Sequence, residues 1–291
     1  MYTNKPKIAA INLHLTNKCN MHCKYCFARF NGIENSMNLK ETIYLMEELR
    51  EYGFDKINFV GGEPLLIPNL KDLIKKSSDL GFFTSIVTNG TLINEKFINN
   101  IYPYINQIGL SIDSLNTANN HLIGRETRNM VANIEWYRRI ISIIKSYDID
   151  LKINTVVSQI NKNEIIADFI NEINPVRWKV FQVLLVAEEN SNEISDFLIS
   201  EDEFNNFCDS NSTKLNNSSI MVKESNSVMQ GSYIMVNPQG HFFDNTKGKY
   251  TVSEKVTEIG IEKALQQIQF DRQKFNIRNG NYYQFKLNQA V

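Results

Sequence analysis

The sequence predicts an α/β chain, a partial (βα)6 barrel of the TIM type with a C-terminal extension closing its mouth. Two observations lead there. Between Lys7 and Val186, apolar strand-like runs alternate six times with runs of helical period, the pattern of a parallel sheet covered by helices. Those strand-like runs end in polar motifs, at the place where parallel α/β folds bind ligands. No clear glycine fingerprint for a dinucleotide accompanies them, which favours the barrel over a doubly wound sheet.

Element by element, a strand is expected at Lys7 to Leu15, with a cysteine-rich loop after it. Leu39, Ile43, Met46 and Leu49 mark one face of a helix over Leu39 to Tyr52, stopped by Gly53. Lys56 to Val60 reads as a strand running into Gly61-Gly62-Glu63-Pro64, and Leu70 to Leu80 as a helix. Phe82 to Val87 is a strand ending in Thr88-Asn89-Gly90, and Asn94 to Tyr102 a helix. Gln107 to Ile112 is a strand ending in Asp113-Ser114, followed by a long helix within Asn129 to Tyr147. Strands at Ile149 to Val157 and Val176 to Val186 flank a helix at Asn163 to Ile173. Beyond that the periodicity weakens. A helix at Glu201 to Cys208, a polar loop at Ser210 to Ser219, and a hairpin of Tyr233 to Val236 with His241 to Phe243 are expected. A helix near Ile261 to Ile268 and an aromatic tail with Tyr282, Tyr283 and Phe285 follow. Residues 1–187 are therefore assigned to the barrel core, and 188–291 to an extension packed on it within the same domain.

A net charge of -1 gives no global reason for nucleic acid or an anionic membrane as partner, so any cationic site is local. The N-terminus shows no apolar signal region, and no run is long enough to span a membrane. With Cys208 far from the other three cysteines, a reducing compartment is expected rather than a disulfide framework. The chain is expected to be cytoplasmic and monomeric.

Cys19, Cys23 and Cys26 fall within eight residues. Three thiolates this close suit a metal centre, and two readings stay open. Zinc would take a fourth ligand, from His14 or His22. A cubic iron-sulphur cluster normally takes four cysteines, so three leave one iron open. Gly61-Gly62-Glu63-Pro64 is equally readable as a tight turn leaving a strand.

A second constellation comes from strand period. Lys56 and Asn58, Lys152 and Asn154, and Arg177 and Lys179 are pairs two apart on expected strands, so each pair shares a face. Ile57, Ile153 and Trp178 take the opposite, helix-covered face. Several cations inside a barrel are costly without anions, and a polyphosphate would supply them. Solvated edge strands are the alternative. Tyr233, His241 and the tail aromatics read first as packing residues, His22 and His121 as surface, and Cys208 as core.

The C-x3-C-x2-C loop beside an aromatic, one strand before Gly-Gly-Glu-Pro, resembles the radical S-adenosylmethionine enzymes. The likeness extends to the viperin family of antiviral nucleotide dehydratases, in a prokaryotic form. It is carried further by Lys56-Ile57-Asn58-Phe59-Val60, Ser111-Ile112-Asp113-Ser114, Leu122-Ile123-Gly124-Arg125, Lys152-Ile153-Asn154, Glu224-Ser225-Asn226 and, most distinctively, the run from Asn174-Pro175 to Gln182. The resemblance spans about Asn12 to Tyr283. It implies a 4Fe-4S cluster on Cys19, Cys23 and Cys26, with S-adenosylmethionine on the open iron as source of a 5'-deoxyadenosyl radical. Phe27, Gly62, Glu63, Thr88, Asn89, Ser111 and Arg125 are then expected around S-adenosylmethionine. Asn12, Lys56, Lys152, Asn154, Arg177 and Lys179 are expected around a nucleoside triphosphate, and Tyr233 as a residue passing on a hydrogen. A reductant or electron-transfer protein is the implied partner. Two departures stand out. Val60 replaces the serine of animal viperins, and Lys247 or Lys249 stands in for a C-terminal lysine that reaches the substrate. A membrane-binding N-terminal helix like that of animal viperins is not expected. The rivals are another radical enzyme, weakened by the lack of a C-terminal cysteine cluster, and a zinc-stabilised binding module.

Overall fold

Residues 10–283 are described in the computed structural model of the chain. The expected start of the first strand at Lys7 and the tail aromatic Phe285 lie outside the described residues. One ten-stranded sheet runs in the order β12-β11-β10-β1-β2-β3-β4-β7-β8-β9. Its centre is β1 (Ala10–His14), β2 (Lys56–Val60), β3 (Phe83–Thr88), β4 (Gln107–Ser111), β7 (Asp150–Val157) and β8 (Arg177–Gln182), all parallel. β9 (Met221–Glu224) adds to β8, and β10 (Met235–Val236) adds to β1, both parallel. β11 (His241–Asp244) and β12 (Thr251–Lys255) continue antiparallel from β10. β5 (Glu126–Thr127) and β6 (Met130–Val131) form a separate small hairpin.

The helices joining the parallel strands are α1 (Leu39–Tyr52), α2 (Leu70–Asp79), α3 (Glu95–Ile101), α4 (Thr117–Ile123), α5 (Ile134–Lys145), α6 (Ala167–Ile173) and α7 (Glu201–Ser212). Each side-chain cap that starts them is local. Asn38 and Glu41 close a capping box on α1, and Asn94, Asn116 and Asn133 cap α3, α4 and α5. The main core lies between these helices and one face of the sheet. Ile11, Leu13, Ile57, Phe59, Ile108, Ile153 and Trp178 meet Leu45, Leu49, Ile74, Ile140, Ile170 and Phe207 there. Among the described residues no helix is long and apolar enough to cross a membrane.

The long helix expected within Asn129 to Tyr147 is found at Ile134–Lys145, capped by Asn133, with Met130 and Val131 in β6 before it. Elsewhere an expectation changes. Helix α7 runs on to Ser212 into the expected polar loop. β9, β12 and α4 carry no apolar period of their own. They are fixed by strand neighbours or by an Asn cap.

Candidate active site

The cysteine loop leaves β1 and is clamped from two sides. On one side the Gly62 and Glu63 amides donate to the Thr16 and Lys18 carbonyls, at 2.6 and 2.8 Å. A Cβ on Gly62 would sit 2.2 Å from the Lys18 carbonyl oxygen, so the approach requires glycine. On the other side Lys24 donates to the Ile123 carbonyl at 2.9 Å, and a Cβ on Gly124 would come within 2.3 Å of the His22 carbonyl oxygen. Gly124 also ends α4 with φ of 87°, a left-handed value.

Between the clamps, the thiols receive hydrogen bonds. Met21 N donates to Cys19 Sγ at 3.5 Å, Asn89 Nδ2 to the same sulphur at 3.9 Å, and Arg125 Nη1 to Cys23 Sγ at 3.4 Å. Burial pushes all three thiols up, Cys26 to about 12. Free, they hold their protons at neutral pH; a bound cationic centre would take them as thiolates, with N–H donors already aimed at two of the sulphurs. This donor set fits an iron-sulphur cluster. Neither histidine offered as a zinc ligand is placed for it. His22 is exposed, and the His14 ring packs 4.8 Å from Phe30 and 5.4 Å from Phe243, where burial lowers its pKa to about 3.

Around the loop the motifs at the strand ends knot together. Glu63 is buried and accepts from Thr88 Oγ1 at 2.6 Å, Asn89 N at 2.8 Å and Leu65 N at 3.0 Å. Burial pushes its carboxyl up, while those donors oppose the shift. Asn89 reaches Asn20 at 2.8 Å. Opposite, Arg125 holds the Ser111 carbonyl at 2.7 Å and Asp113 at 3.2 Å, and Tyr25 donates to Asp113 at 2.7 Å. Phe27 is exposed at the edge, where its carbonyl accepts from Tyr250 at 2.7 Å.

The cations form a second group on the sheet face away from the helices. Asn12, Lys56, Asn58, Lys152, Arg177, Lys179 and Tyr233 line one cavity, closed by Phe275, Arg278 and Tyr282 of the C-terminal extension. The space enclosed between these side chains is small, about 40 Å³, and opens to solvent at its mouth. Lys56 and Arg177 begin their strands, so Phe275, Arg278 and Tyr282 close the end of the sheet face away from the cysteine loop, while at the strand-end mouth another part of the extension packs on that loop: Glu189 accepts from Phe30 N at 2.7 Å and Asn190 donates to the Tyr25 carbonyl at 3.0 Å. Burial, then the neighbouring cations, pushes Lys56 down, and burial does the same to Arg177. Lys152 falls to about 7, by burial first and then Arg177.

The two groups are joined by register. Ser111 pairs with Asn154 on the next strand, and Asn154 with Lys179 on the one after. Neighbours in register lie about 4.8 Å apart, so a continuous row links the Arg125 anchor to the cationic cavity. Asn154 leaves its buried Oδ1 unpartnered among the described residues.

Lys247 and Lys249 are not brought in. Both are exposed and neither lines the cavity; Lys249 is fixed by a backbone bridge to Ala187 and lies 3.9 Å from Glu188. Arg278 and Tyr282 occupy the cavity instead. Sequence reasoning missed Arg278 and read Tyr282 as packing. An arginine in an aromatic tail is a faint signal, because no strand or helix period points it inward.

Gly109 supplies a test of the cavity's geometry. A Cβ there would lie 2.7 Å from Lys152 Cε and 3.1 Å from Val87 Cγ2. The lysine end is flexible, so Gly109→Ala is expected to fold but to displace the ammonium. Losing one charged hydrogen bond of about 1.5–3 kcal/mol corresponds to a loss of about 10- to 100-fold in tripolyphosphate affinity, to be measured by calorimetry. Unchanged affinity would place Lys152 outside the binding surface.

Comparisons with known proteins give the family of the chain. The family model of the radical SAM superfamily matches residues 13–172. An S-adenosylmethionine-dependent nucleotide dehydratase of Flammeovirga pacifica is 41% identical over 281 residues, covering 94% of this chain and 96% of that protein. The S-adenosylmethionine-dependent nucleotide dehydratase RSAD2 of Siniperca chuatsi is 34% identical, covering 97% and 81%. A solved structure of native anSMEcpe with bound AdoMet superposes with a TM-score of 0.67 at 15% identity, covering 89% of this chain and 80% of that one. At that identity it speaks for the fold alone. By the family model and these relatives together, the chain belongs to the radical SAM superfamily and, within it, to the S-adenosylmethionine-dependent nucleotide dehydratases, the viperins.

Proposed function

We propose that this enzyme removes water from a ribonucleoside triphosphate, CTP, UTP or GTP, to give the 3'-deoxy-3',4'-didehydro analogue, a chain terminator for viral polymerases. The observation that carries this reading is the cavity lined by Lys56, Lys152, Arg177, Lys179 and Arg278, joined in register to the strand ends around the cysteine loop. Cations this buried are costly empty and are offset by a polyanion. A triphosphate seated on them leaves its ribose toward the cysteines.

Cys19, Cys23 and Cys26 would hold a 4Fe-4S cluster, and with S-adenosylmethionine bound it would supply a hydrogen-abstracting 5'-deoxyadenosyl radical. Gly62, Glu63, Thr88 and Asn89 on one side, and Phe27, Ser111 and Arg125 on the other, would wall that cofactor. Asn12 and Asn154 would complete the phosphate contacts of the cations, and Tyr233 would meet the ribose and pass on a hydrogen at its phenol oxygen. An electron-transfer protein is the fitting reductant, the cytoplasm the fitting compartment, and a monomer the working unit, with neither nucleic acid nor membrane as partner.

The sheet is read as a partial barrel. In a flat sheet β2 and β8 would stand four strands, roughly 19 Å, apart. Yet one side chain, Tyr282, has its hydroxyl 3.3 Å from Lys56 Nζ on β2 and its ring 4.1 Å from the Arg177 guanidinium on β8. The strand order β1-β2-β3-β4-β7-β8 also has no reversal, unlike a doubly wound sheet. Residues 1–187 form the core in this reading and 188–291 belong to the same domain, since their strands join both edges of one sheet.

The test is anaerobic. The reconstituted protein receives S-adenosylmethionine and dithionite, then CTP, UTP, GTP or ATP separately, and deoxyadenosine is quantified. One triphosphate is expected to stimulate its release and to yield a nucleotide lighter by one water. If S-adenosylmethionine is cleaved and no triphosphate stimulates it, the substrate assignment fails and another radical reaction takes its place.

A further inference from the structure

Glu224 ends β9 and is completely buried behind the cavity wall. Its Oε2 accepts the hydroxyl proton of Tyr233. Lys179 Nζ donates to the Tyr233 oxygen at 2.6 Å and lies 2.7 Å from Glu224 Oε1. That last pair is a charge contact without hydrogen-bond geometry, for Oε1 has no hydrogen-bond partner among the described residues. The three groups close a ring: ammonium to phenol oxygen, phenol proton to carboxylate, carboxylate against ammonium. Lys179 and Tyr233 line the cavity, and Glu224 does not.

The charges facing this ring come from three further places. β7 presents Lys152, β8 presents Arg177, and Arg278 stacks its guanidinium 3.7 Å from the centre of the Tyr233 ring. Asp150 acts on Lys56 at the far side of the cavity. The carboxylate that acts on Lys152, Arg177 and Lys179 together is Glu224.

We propose that Glu224 is a positioning residue of the substrate cavity: from behind the wall it holds the Lys179 ammonium in place for a phosphate and, in the unliganded cavity, accepts the hydrogen bond of the Tyr233 hydroxyl, which keeps that phenol at the cavity wall. This rests on the triphosphate reading of the cavity. Burial works against charge on both Lys179 and Glu224, and each offsets the other: the lysine stays below its ordinary pKa, and the carboxyl is drawn below its own by Lys179 and Arg278. Removing the carboxylate therefore has two opposed effects. The cavity loses a negative charge, which favours a polyanion, and Lys179 releases its proton at lower pH, which disfavours one.

Glu224→Gln keeps the size and an acceptor oxygen while removing the charge. Tripolyphosphate binding to the reconstituted holoenzyme is measured by calorimetry at pH 6 and pH 8.5. At pH 6 the variant is expected to bind as tightly as the wild type or several-fold more tightly, and between the two pH values to lose about tenfold more affinity than the wild type does. Lys179→Arg added to it, whose guanidinium keeps its charge, is expected to remove that extra loss. Parallel weakening at both pH values, or no rescue by the arginine, overturns the proposal and leaves Glu224 a structural residue. Should Glu224→Gln not fold, Glu224→Asp withdraws the charge by one methylene and is expected to show the same shift on a smaller scale; an unshifted profile overturns the proposal. Wild type failing to bind tripolyphosphate at either pH strikes the phosphate reading itself, a separate outcome.

Discussion

Cys23→Ala is expected to leave a folded protein that holds no complete iron-sulphur cluster and forms no deoxyadenosine. Cys23 is the middle thiol of the loop and accepts the Arg125 hydrogen bond. Alanine in its place leaves two thiols, and an iron at that corner of a cubane would lack its protein ligand. The loop itself is held by backbone bonds to Gly62, Glu63 and Ile123 rather than by the thiol, so circular dichroism and melting temperature should change little. Cys208→Ala is the control. Cys208 is buried on α7 and packs in the main core, so its loss costs packing energy and leaves iron and acid-labile sulphide intact. Deoxyadenosine production by Cys23→Ala would overturn the cluster assignment.

Lys152→Met is expected to make the unliganded protein more stable at pH 6 while weakening triphosphate binding by about 10- to 100-fold. The Lys152 ammonium is buried, and its pKa falls from 10.5 to about 7. With about 1.4 kcal/mol per pH unit, a charged Lys152 costs the empty fold on the order of a few kcal/mol below pH 7. Between pH 7 and about 10 the unfolded chain keeps a proton that the folded chain has released, so wild-type stability rises with pH across that window. Methionine removes this dependence. The stabilisation of the variant should therefore be largest at pH 6, several degrees in melting temperature, and shrink toward pH 10. A gap independent of pH, or unaltered triphosphate binding, would show that Lys152 is not the strained cation of the cavity.

What could be read from the sequence follows from period and spacing. Lys56, Lys152, Arg177 and Lys179 were legible because alternation along a strand fixes which face a side chain takes, whatever the strand's neighbours. Cys19, Cys23, Cys26 and Gly62 were legible because local spacing sets what they can hold. Glu224, Arg278 and Tyr282 depend on pairings across the chain. Lys179 meets Glu224 through the β8–β9 register, and Arg177 meets the Arg278 carbonyl at 2.7 Å across more than a hundred residues. Lys247 and Lys249 show the converse: a lysine at about the expected sequence position faces solvent because the loop before β12 is tied to Ala187. That the segment around Arg278 and Tyr282 folds over the far rim has the same origin, since nothing local says over which rim of a sheet a later segment folds.

The pairing of Asn12 on β1 with Met235 on β10 has a consequence for how the molecule is made. Residue 235 of 291 leaves the ribosome after about four fifths of the chain, so until then β1 is an unpaired edge in the nascent protein. The β/α units from β1 to β8 close short loops and can assemble as they emerge, whereas β1 to β10 closes across more than two hundred residues and comes late. The cysteine clamps belong to the early set, because Gly62 and Gly124 precede residue 125. Tyr233, Arg278 and Tyr282 arrive with the late one. Synthesis from the N-terminus thus completes the cluster-binding loop before the substrate cavity has walls.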